Sequence, residues 1–172
     1  MNSVSSVNAL SEVDFAKLLE GIYENSPWVA QSAAPMRPFD DGEAVRAALQ
    51  SVVDEAGLEA QRKLICEHPD LAGRLARAGQ LTEASTQEQG RLGLDQLSED
   101  EYLAFDRLNE TYQERFQFPF VVCVGLVKDR KELLEVFDLR VQNTQEEEHE
   151  TAIREIHEIA RIRLRELIEG IA

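Results

Sequence analysis

Apolar residues recur every three or four positions along most of this chain, which is the pattern of amphipathic helices. Cap residues and helix-stopping residues divide the pattern into separate segments. The predicted helices are one that begins at Ser11 and runs through Phe15, Leu18, Leu19 and Ile22, one over 44–53 stopped by Gly57, one over 58–67, a short one ending at Gly79, one that follows Ser98, one over 128–141 and one over 145–169.

One stretch departs from this helical pattern. Residues 116–127 read FQFPFVVCVGLV, an apolar run that is rich in valine and interrupted by Pro119 and Gly125. Its composition favours a buried strand, but a single strand cannot form a sheet. We therefore predict a buried extended segment between helices. No linker, repeat or low-complexity tract divides the chain, so the predicted fold is an all-α multi-helix bundle in one domain over residues 1–172.

The composition narrows the classes of function. Hydrophobic residues make up 43% of the 172 residues and charged residues 30%, as in globular proteins. The net charge of −15 argues against nucleic acid or an anionic membrane surface as a partner. No apolar run approaches the ~20 residues of a membrane span, and the N-terminus lacks a secretion signal, so we expect a cytoplasmic protein. Cys66 and Cys123 are expected to be reduced thiols.

A histidine precedes a proline in the stretch LICEHPDLAG, residues 64–73. A residue before proline is disfavoured in helical conformation, so the helix over 58–67 should end at the step from His68 to Pro69. A helix end is a suitable place to present a side chain to a site. It is equally an ordinary place for a polar residue in water.

The last predicted helix carries a cation on its apolar face. Arg163 follows Ile156 by seven residues, which places the two within about 20° of each other around the helix. Arg161 and Arg165 point instead toward solvent. A buried guanidinium requires a compensating anion. Arg163 therefore either pairs with an internal carboxylate or faces a cavity that receives an anionic ligand.

Two further patterns have ordinary structural explanations. Ser85 and Glu88 have the spacing of a capping box, which would account for both residues. In the acidic stretch EEEHE, Glu146 and His149 form one Glu-x-x-His pair, but a di-metal site in a helical bundle requires a second. We therefore predict no metal site, and we assign residues 146–148 to favourable charge at a helix N-terminus. His149 is expected at the edge of the core.

Five stretches together resemble one family, the 2-oxo-4-hydroxy-4-carboxy-5-ureidoimidazoline (OHCU) decarboxylases. In chain order, and over nearly the whole chain, they are SPWVA at 26–30, HPDLAG at 68–73, LTEASTQEQ at 81–89, LNETYQERFQFPF at 108–120 and EIHEIARIRLREL at 155–167. The resemblance implies an all-α homodimeric enzyme that needs no cofactor. It also implies decarboxylation of a small ureidoimidazoline formed from urate to (S)-allantoin and carbon dioxide.

The resemblance also implies the roles of individual residues. The histidine of HPDLAG and the glutamate of the SxxEQ motif are catalytic in the family, as is an arginine near the C-terminus. These positions correspond to His68, Glu88 and Arg163. The substrate-binding positions implied are Pro69, Ser85, Gln89, Phe120, Val121, Val122, Cys123 and Val124.

The chain departs from the family pattern at a few positions. Asn25 replaces a histidine before SPW, Gln117 replaces the glycine of FGFPF, and residues 125–127 lack a basic residue that is common there. Two rival functions stay open: a non-catalytic helical interaction protein, and a hydrolase that acts on a related ring intermediate or ureide.

Overall fold

A computed structural model describes residues 1–73 and 78–172 of the chain. Within these residues the secondary structure is helical, with no β-strand, which confirms the all-α prediction. The α-helices of this part of the chain are α1 (Val4–Asn8), α2 (Glu12–Leu19), α3 (Pro27–Ala33), α4 (Gly42–Glu55), α5 (Gly57–Cys66), α6 (Glu83–Gly90), α7 (Glu99–Phe116), α8 (Arg130–Arg140) and α9 (Gln145–Leu167). Short 3-10 turns lie at Ala34–Met36 and Val124–Leu126. The short helix expected to end at Gly79 falls on residues 74–77, outside the described part.

Local capping signals determine where several helices begin. The Ser11 side chain accepts a hydrogen bond from the Asp14 amide and starts α2, as predicted. Ser98 and Glu101 form a reciprocal capping box at the start of α7. Hydrogen bonds from the Ser98 amide and hydroxyl hold the pKa of the Glu101 carboxyl below its usual range. These helix starts depend on hydrogen bonds between residues three positions apart in the sequence.

The described residues divide into two compact units. The first unit comprises Met1–Glu67 and His157–Ala172, and the second comprises His68–Ile156. Helix α9 contributes its residues up to Ile156 to the second unit and the rest to the first. A single domain over residues 1–172 stays a prediction.

In the first unit, α4 buries one apolar stripe, formed by Val45, Ala48, Leu49 and Val53. Gly42, at the start of α4, approaches the C-terminal backbone closely. A Cβ atom at Gly42 would lie 2.5 Å from the carbonyl oxygen of Glu169, which only glycine avoids.

In the second unit, the core is rich in aromatic rings. Tyr112 on α7 is fully buried and contacts four phenylalanines: Phe116, Phe118, Phe120 and Phe137. Gln117 ends α7 in the left-handed conformation, with φ of 61°. This conformation favours glycine, which explains why a glycine suits this position in the related motif. The sequence predicts a buried extended segment over 116–127. Residues 118–124 are buried and outside regular helix up to the 3-10 turn at Val124–Leu126, whereas Gln117 and Leu126 are exposed.

Candidate active site

His68 and Pro69 follow directly on the end of α5. That helix ends at Cys66, and Glu67 caps it, so the predicted helix end at the His–Pro step is confirmed to within one residue. His68 is buried, with 8% of its surface exposed. A histidine that merely ended a helix in water would be exposed. Its burial therefore argues against the ordinary explanation.

The loop after His68 is fastened to two helices by side-chain amides. Gln89 on α6 accepts a hydrogen bond from the Ala72 amide at 2.9 Å. Asn109 on α7 donates to the carbonyl oxygen of Leu71, also at 2.9 Å. Both amide side chains are buried. Ala72 of the HPDLAG motif and Gln89 of the STQEQ motif are seventeen positions apart in the chain. Their hydrogen bond holds the two motifs together.

Helix α6 begins earlier than the sequence pattern suggests. Thr82 is its N-cap, and the Thr82 hydroxyl accepts from the Ser85 amide at 3.2 Å. The reading of Ser85 and Glu88 as a capping box is therefore wrong, because Ser85 already lies inside the helix. Ser85 and Gln89 are buried one turn apart, whereas Glu88 is half-buried. Capping therefore does not explain the SxxEQ motif.

The segment over residues 120–124 is buried at every position. It leads into the Val124–Leu126 turn, which packs against α6. The second unit thus brings three predicted site elements together: the loop after His68, the helix with Ser85 to Gln89, and the segment over 120–124. Each element is positioned by a buried polar contact or by packing.

Arg163 lies in the first unit and forms a buried ion pair. Its guanidinium is 2.8 Å from a carboxylate oxygen of Glu24, and the two side chains are 9% and 2% exposed. It also donates to the carbonyl oxygen of Gly21 at 3.1 Å. Of the two alternatives for Arg163, the structure shows the pairing with an internal carboxylate.

A second buried ion pair was not predicted. Glu148 has no exposed surface and pairs with Arg140 on α8, whose Nε lies 2.8 Å from the carboxylate. Asn143 donates to the same carboxylate at 2.7 Å, and the Tyr112 hydroxyl donates to it at short range. Burial raises the pKa of Tyr112 well above its usual range, so this phenol stays protonated. Glu148 does lie in the first turn of α9, as expected for an acidic residue at a helix N-terminus, but it is also a core residue paired with Arg140, which the sequence does not predict.

The other two acidic residues of that run behave as expected. Glu146 and Glu147 are exposed in the first turn of α9. Glu147 accepts hydrogen bonds from the Thr144 amide and hydroxyl, which lower the pKa of its carboxyl. His149 is half-buried and meets the ring of Phe118 edge-on, as expected for the edge of the core.

The first unit contains a hydrogen-bonded chain of three side chains. The Tyr23 hydroxyl lies 2.9 Å from Nδ1 of His157, and Nε2 of the same ring lies 3.1 Å from Asp54. Burial lowers the pKa of His157, although Asp54 opposes that effect. The sequence offers no local signal for this contact, because Tyr23 and His157 are 134 positions apart.

The described residues also form a groove on the first unit and several long helices. A groove of about 490 Å³ on the first unit is lined chiefly by residues of α2 and α3, and it contains none of the predicted site residues. Among the described residues, no group of three His, Cys, Asp or Glu side chains is placed to hold a metal ion. None of the helices described in these ranges is both long enough and apolar enough to cross a membrane.

Comparison with known proteins connects these features. Residues 8–165 match the protein family described as OHCU decarboxylase. Over 166 residues the chain is 40% identical to a 2-oxo-4-hydroxy-4-carboxy-5-ureidoimidazoline decarboxylase of Haloferax volcanii, and the match spans 95% of each protein. It is also 35% identical over 168 residues to a uric acid degradation bifunctional protein of a Bacillus species, spanning 97% of this chain and 32% of that protein.

A solved structure has the same fold. The crystal structure of an (S)-allantoin synthase superposes with a TM-score of 0.74 at 25% sequence identity. The match covers 98% of this chain and 55% of the other, so this chain spans about half the length of that protein.

Proposed function

Because this chain belongs to the OHCU decarboxylase family, we propose that it converts 2-oxo-4-hydroxy-4-carboxy-5-ureidoimidazoline to (S)-allantoin and carbon dioxide. The name of the Haloferax relative supports the substrate, and the name of the solved structure supports the (S) product. The observation that carries the proposal is the buried loop of His68, which Gln89 fastens to the SxxEQ helix.

The substrate's own structure allows decarboxylation. One ring carbon carries both the hydroxyl and the carboxylate. The neighbouring carbon carries the ureido group and is double-bonded to a ring nitrogen. When the bond to the carboxylate breaks, its electron pair forms a C=C bond between these two carbons, and the C=N electrons pass to the ring nitrogen, which takes up a proton. Carbon dioxide leaves. Uptake of a proton at the ureido-bearing carbon, with loss of the hydroxyl proton, then gives the carbonyl of allantoin.

We assign the stereochemical step to His68. An imidazole has an ordinary pKa of about 6.5, so it exchanges protons near neutral pH. Held on one side of the ring, it delivers the proton to one face of the ureido-bearing carbon and sets the (S) configuration. In this proposal Glu88 orients the hydroxyl and ureido groups.

Arg163 is proposed to stabilise developing negative charge on the ring. A guanidinium suits oxyanions because its N–H groups form a planar fork. Tight binding of the departing carboxylate would oppose catalysis, so the useful contact is with oxygen that gains charge as the bond breaks.

Freshly generated substrate tests the proposed reaction. Carbon dioxide release and the optical activity of allantoin are followed together, with and without protein. Accelerated release with an excess of (S)-allantoin is expected. Ring opening without carbon dioxide would instead identify a hydrolase, and no effect on either signal would favour a non-catalytic interaction protein.

The family resemblance also supports a homodimer in the cytoplasm. One chain has a mass of 19.4 kDa, so light scattering should give about twice that value. A mass of a single chain at micromolar concentration would contradict the dimer.

A further inference from the structure

Two side chains outside the predicted site hold the backbone of the segment over residues 120–124. Arg140 on α8 donates from Nη1 to the carbonyl oxygen of Val121 at 2.7 Å. Glu155 on α9 accepts from the amide of Cys123, also at 2.7 Å. Both are charge-assisted hydrogen bonds, the stronger kind in proteins.

These two bonds fix both peptide groups of Val122. A peptide group is planar, and in its trans form the C=O and N–H bonds point in opposite directions. The bond to the Val121 carbonyl therefore orients the Val122 amide away from Arg140. In the same way, the bond from the Cys123 amide orients the Val122 carbonyl away from Glu155.

The backbone N–H and C=O groups of Val122 can form hydrogen bonds with a ligand. Val122 is 6% exposed, yet within residues 1–73 and 78–172 neither its amide nor its carbonyl has a hydrogen-bond partner. Buried backbone groups are nearly always paired. An amide or ureide carries the complementary N–H and C=O groups.

The side chains that hold the segment are themselves held. Glu148 pairs with Arg140, whose guanidinium also lies over the Phe120 ring at 4.5 Å from its centroid. Glu148 and Glu155 are seven residues apart on α9, so both lie on one face of that helix, about 10 Å apart along its axis. One face of α9 thus supports the segment through Arg140 and directly through Glu155.

We propose that Glu155, acting with Arg140, is a positioning residue that aims the Val122 amide and carbonyl at the ureide part of the substrate. This inference rests on the proposed function, in which residues 120–124 bind substrate. Neither side chain needs to touch the substrate. Their effect is to fix the backbone geometry before binding, which lowers the cost of ordering on association.

Variants at Glu155 test the positioning role. In Glu155→Ala the Cys123 amide loses its acceptor, so KM should rise about tenfold, equivalent to about 1.4 kcal/mol of binding, while kcat changes less. Glu155→Gln keeps an acceptor oxygen and should stay within about threefold of the wild-type KM. Glu150→Ala, an exposed site on the same helix, is the matched control and should leave both constants unchanged.

A thermal unfolding midpoint is measured for each variant to separate positioning from stability. If Glu155→Ala does not fold, Glu155→Asp decides, because it keeps the charge but is too short to reach the Cys123 amide. An unchanged KM in a folded Ala or Asp variant would overturn the inference. The inference would also be overturned if activity fell only in proportion to the fraction of folded protein.

The two proposals fail differently. Wild-type protein that does not decarboxylate the substrate would contradict the proposed function and remove this inference with it. Active wild-type protein with a folded Glu155 variant of unchanged KM would contradict the positioning role alone.

Discussion

Each compact unit contains a buried arginine–glutamate pair, and the two pairs are built differently. In the second unit, Arg140 and Glu148 are eight residues apart, on either side of the connection between α8 and α9. In the first unit, Arg163 reaches Glu24, which lies 139 positions earlier in the chain. The pair of Arg140 and Glu148 stabilises a buried backbone segment. The other joins the last helix to the N-terminal part of the chain.

The surroundings of the pairs suggest different roles. Arg140 also binds the Val121 carbonyl and lies over an aromatic ring, so its contacts within the second unit serve the scaffold. Arg163 lies at a position that the family resemblance marks as catalytic. Burial of an ion pair therefore does not by itself distinguish a supporting residue from a reacting one, and mutations that separate stability from activity are needed.

Arg140→Met should have the largest effect on stability. It leaves the Glu148 carboxylate buried without its cation and removes the bond to the Val121 carbonyl. We expect the free energy of unfolding to fall by about 3–5 kcal/mol. Chemical denaturation followed by circular dichroism measures the change. A loss below about 1 kcal/mol would show that this pair is not the brace of the second unit.

Arg163→Met should destabilise the protein by a smaller amount, about 2–3 kcal/mol, because the ion pair that it removes with Glu24 is slightly more exposed than the pair of Arg140 with Glu148. The double variant Glu24→Gln with Arg163→Met removes both charges and should recover much of this loss.

Activity then distinguishes the two roles of Arg163. If the guanidinium stabilises charge in the reaction, the double variant should be stable yet at least about 100-fold slower than wild type. Near-normal turnover by the stable double variant would show that Arg163 has a structural role only.

The pH dependence of stability should be a smaller effect and belongs to the first unit. Burial gives His157 a lower pKa in the folded chain than its ordinary 6.5. Between the two pKa values the unfolded chain therefore binds more protons than the folded chain. The free energy of unfolding falls as the pH drops below about 6.5. The slope cannot exceed about 1.4 kcal/mol per pH unit from this one group. His157→Gln should reduce the difference in the free energy of unfolding between pH 7.5 and pH 5.5, measured by urea unfolding. An unchanged difference would assign the pH dependence to another group.

Local rules were sufficient for much of the fold. Ser11, Ser98 and the His–Pro step mark helix ends through contacts with residues at most four positions away, so sequence spacing predicts them. Thr82 shows where such rules become ambiguous. Thr82 and Ser85 are both acceptable caps three residues apart, and the pattern S-x-x-E favours Ser85, yet the helix starts one turn earlier.

Tertiary partners account for what the sequence did not predict. Glu148 stands in an acidic run that is typical of a solvated helix start, and only the position of Arg140 makes it a core residue. Glu24, Tyr23 and Glu155 likewise acquire their roles from residues distant in the chain. Helix periodicity places Arg163 on an apolar face, but it does not identify Glu24 as its partner.

The central claim is that His68 transfers the proton that sets the configuration of the product. The most direct test is His68→Asn, assayed for decarboxylation and for the enantiomeric composition of allantoin. The account predicts unchanged helical circular dichroism, a rate lower by about 100-fold to 10,000-fold, and loss of the excess of (S)-allantoin. A folded His68→Asn variant that still produces (S)-allantoin at a near-normal rate would contradict it.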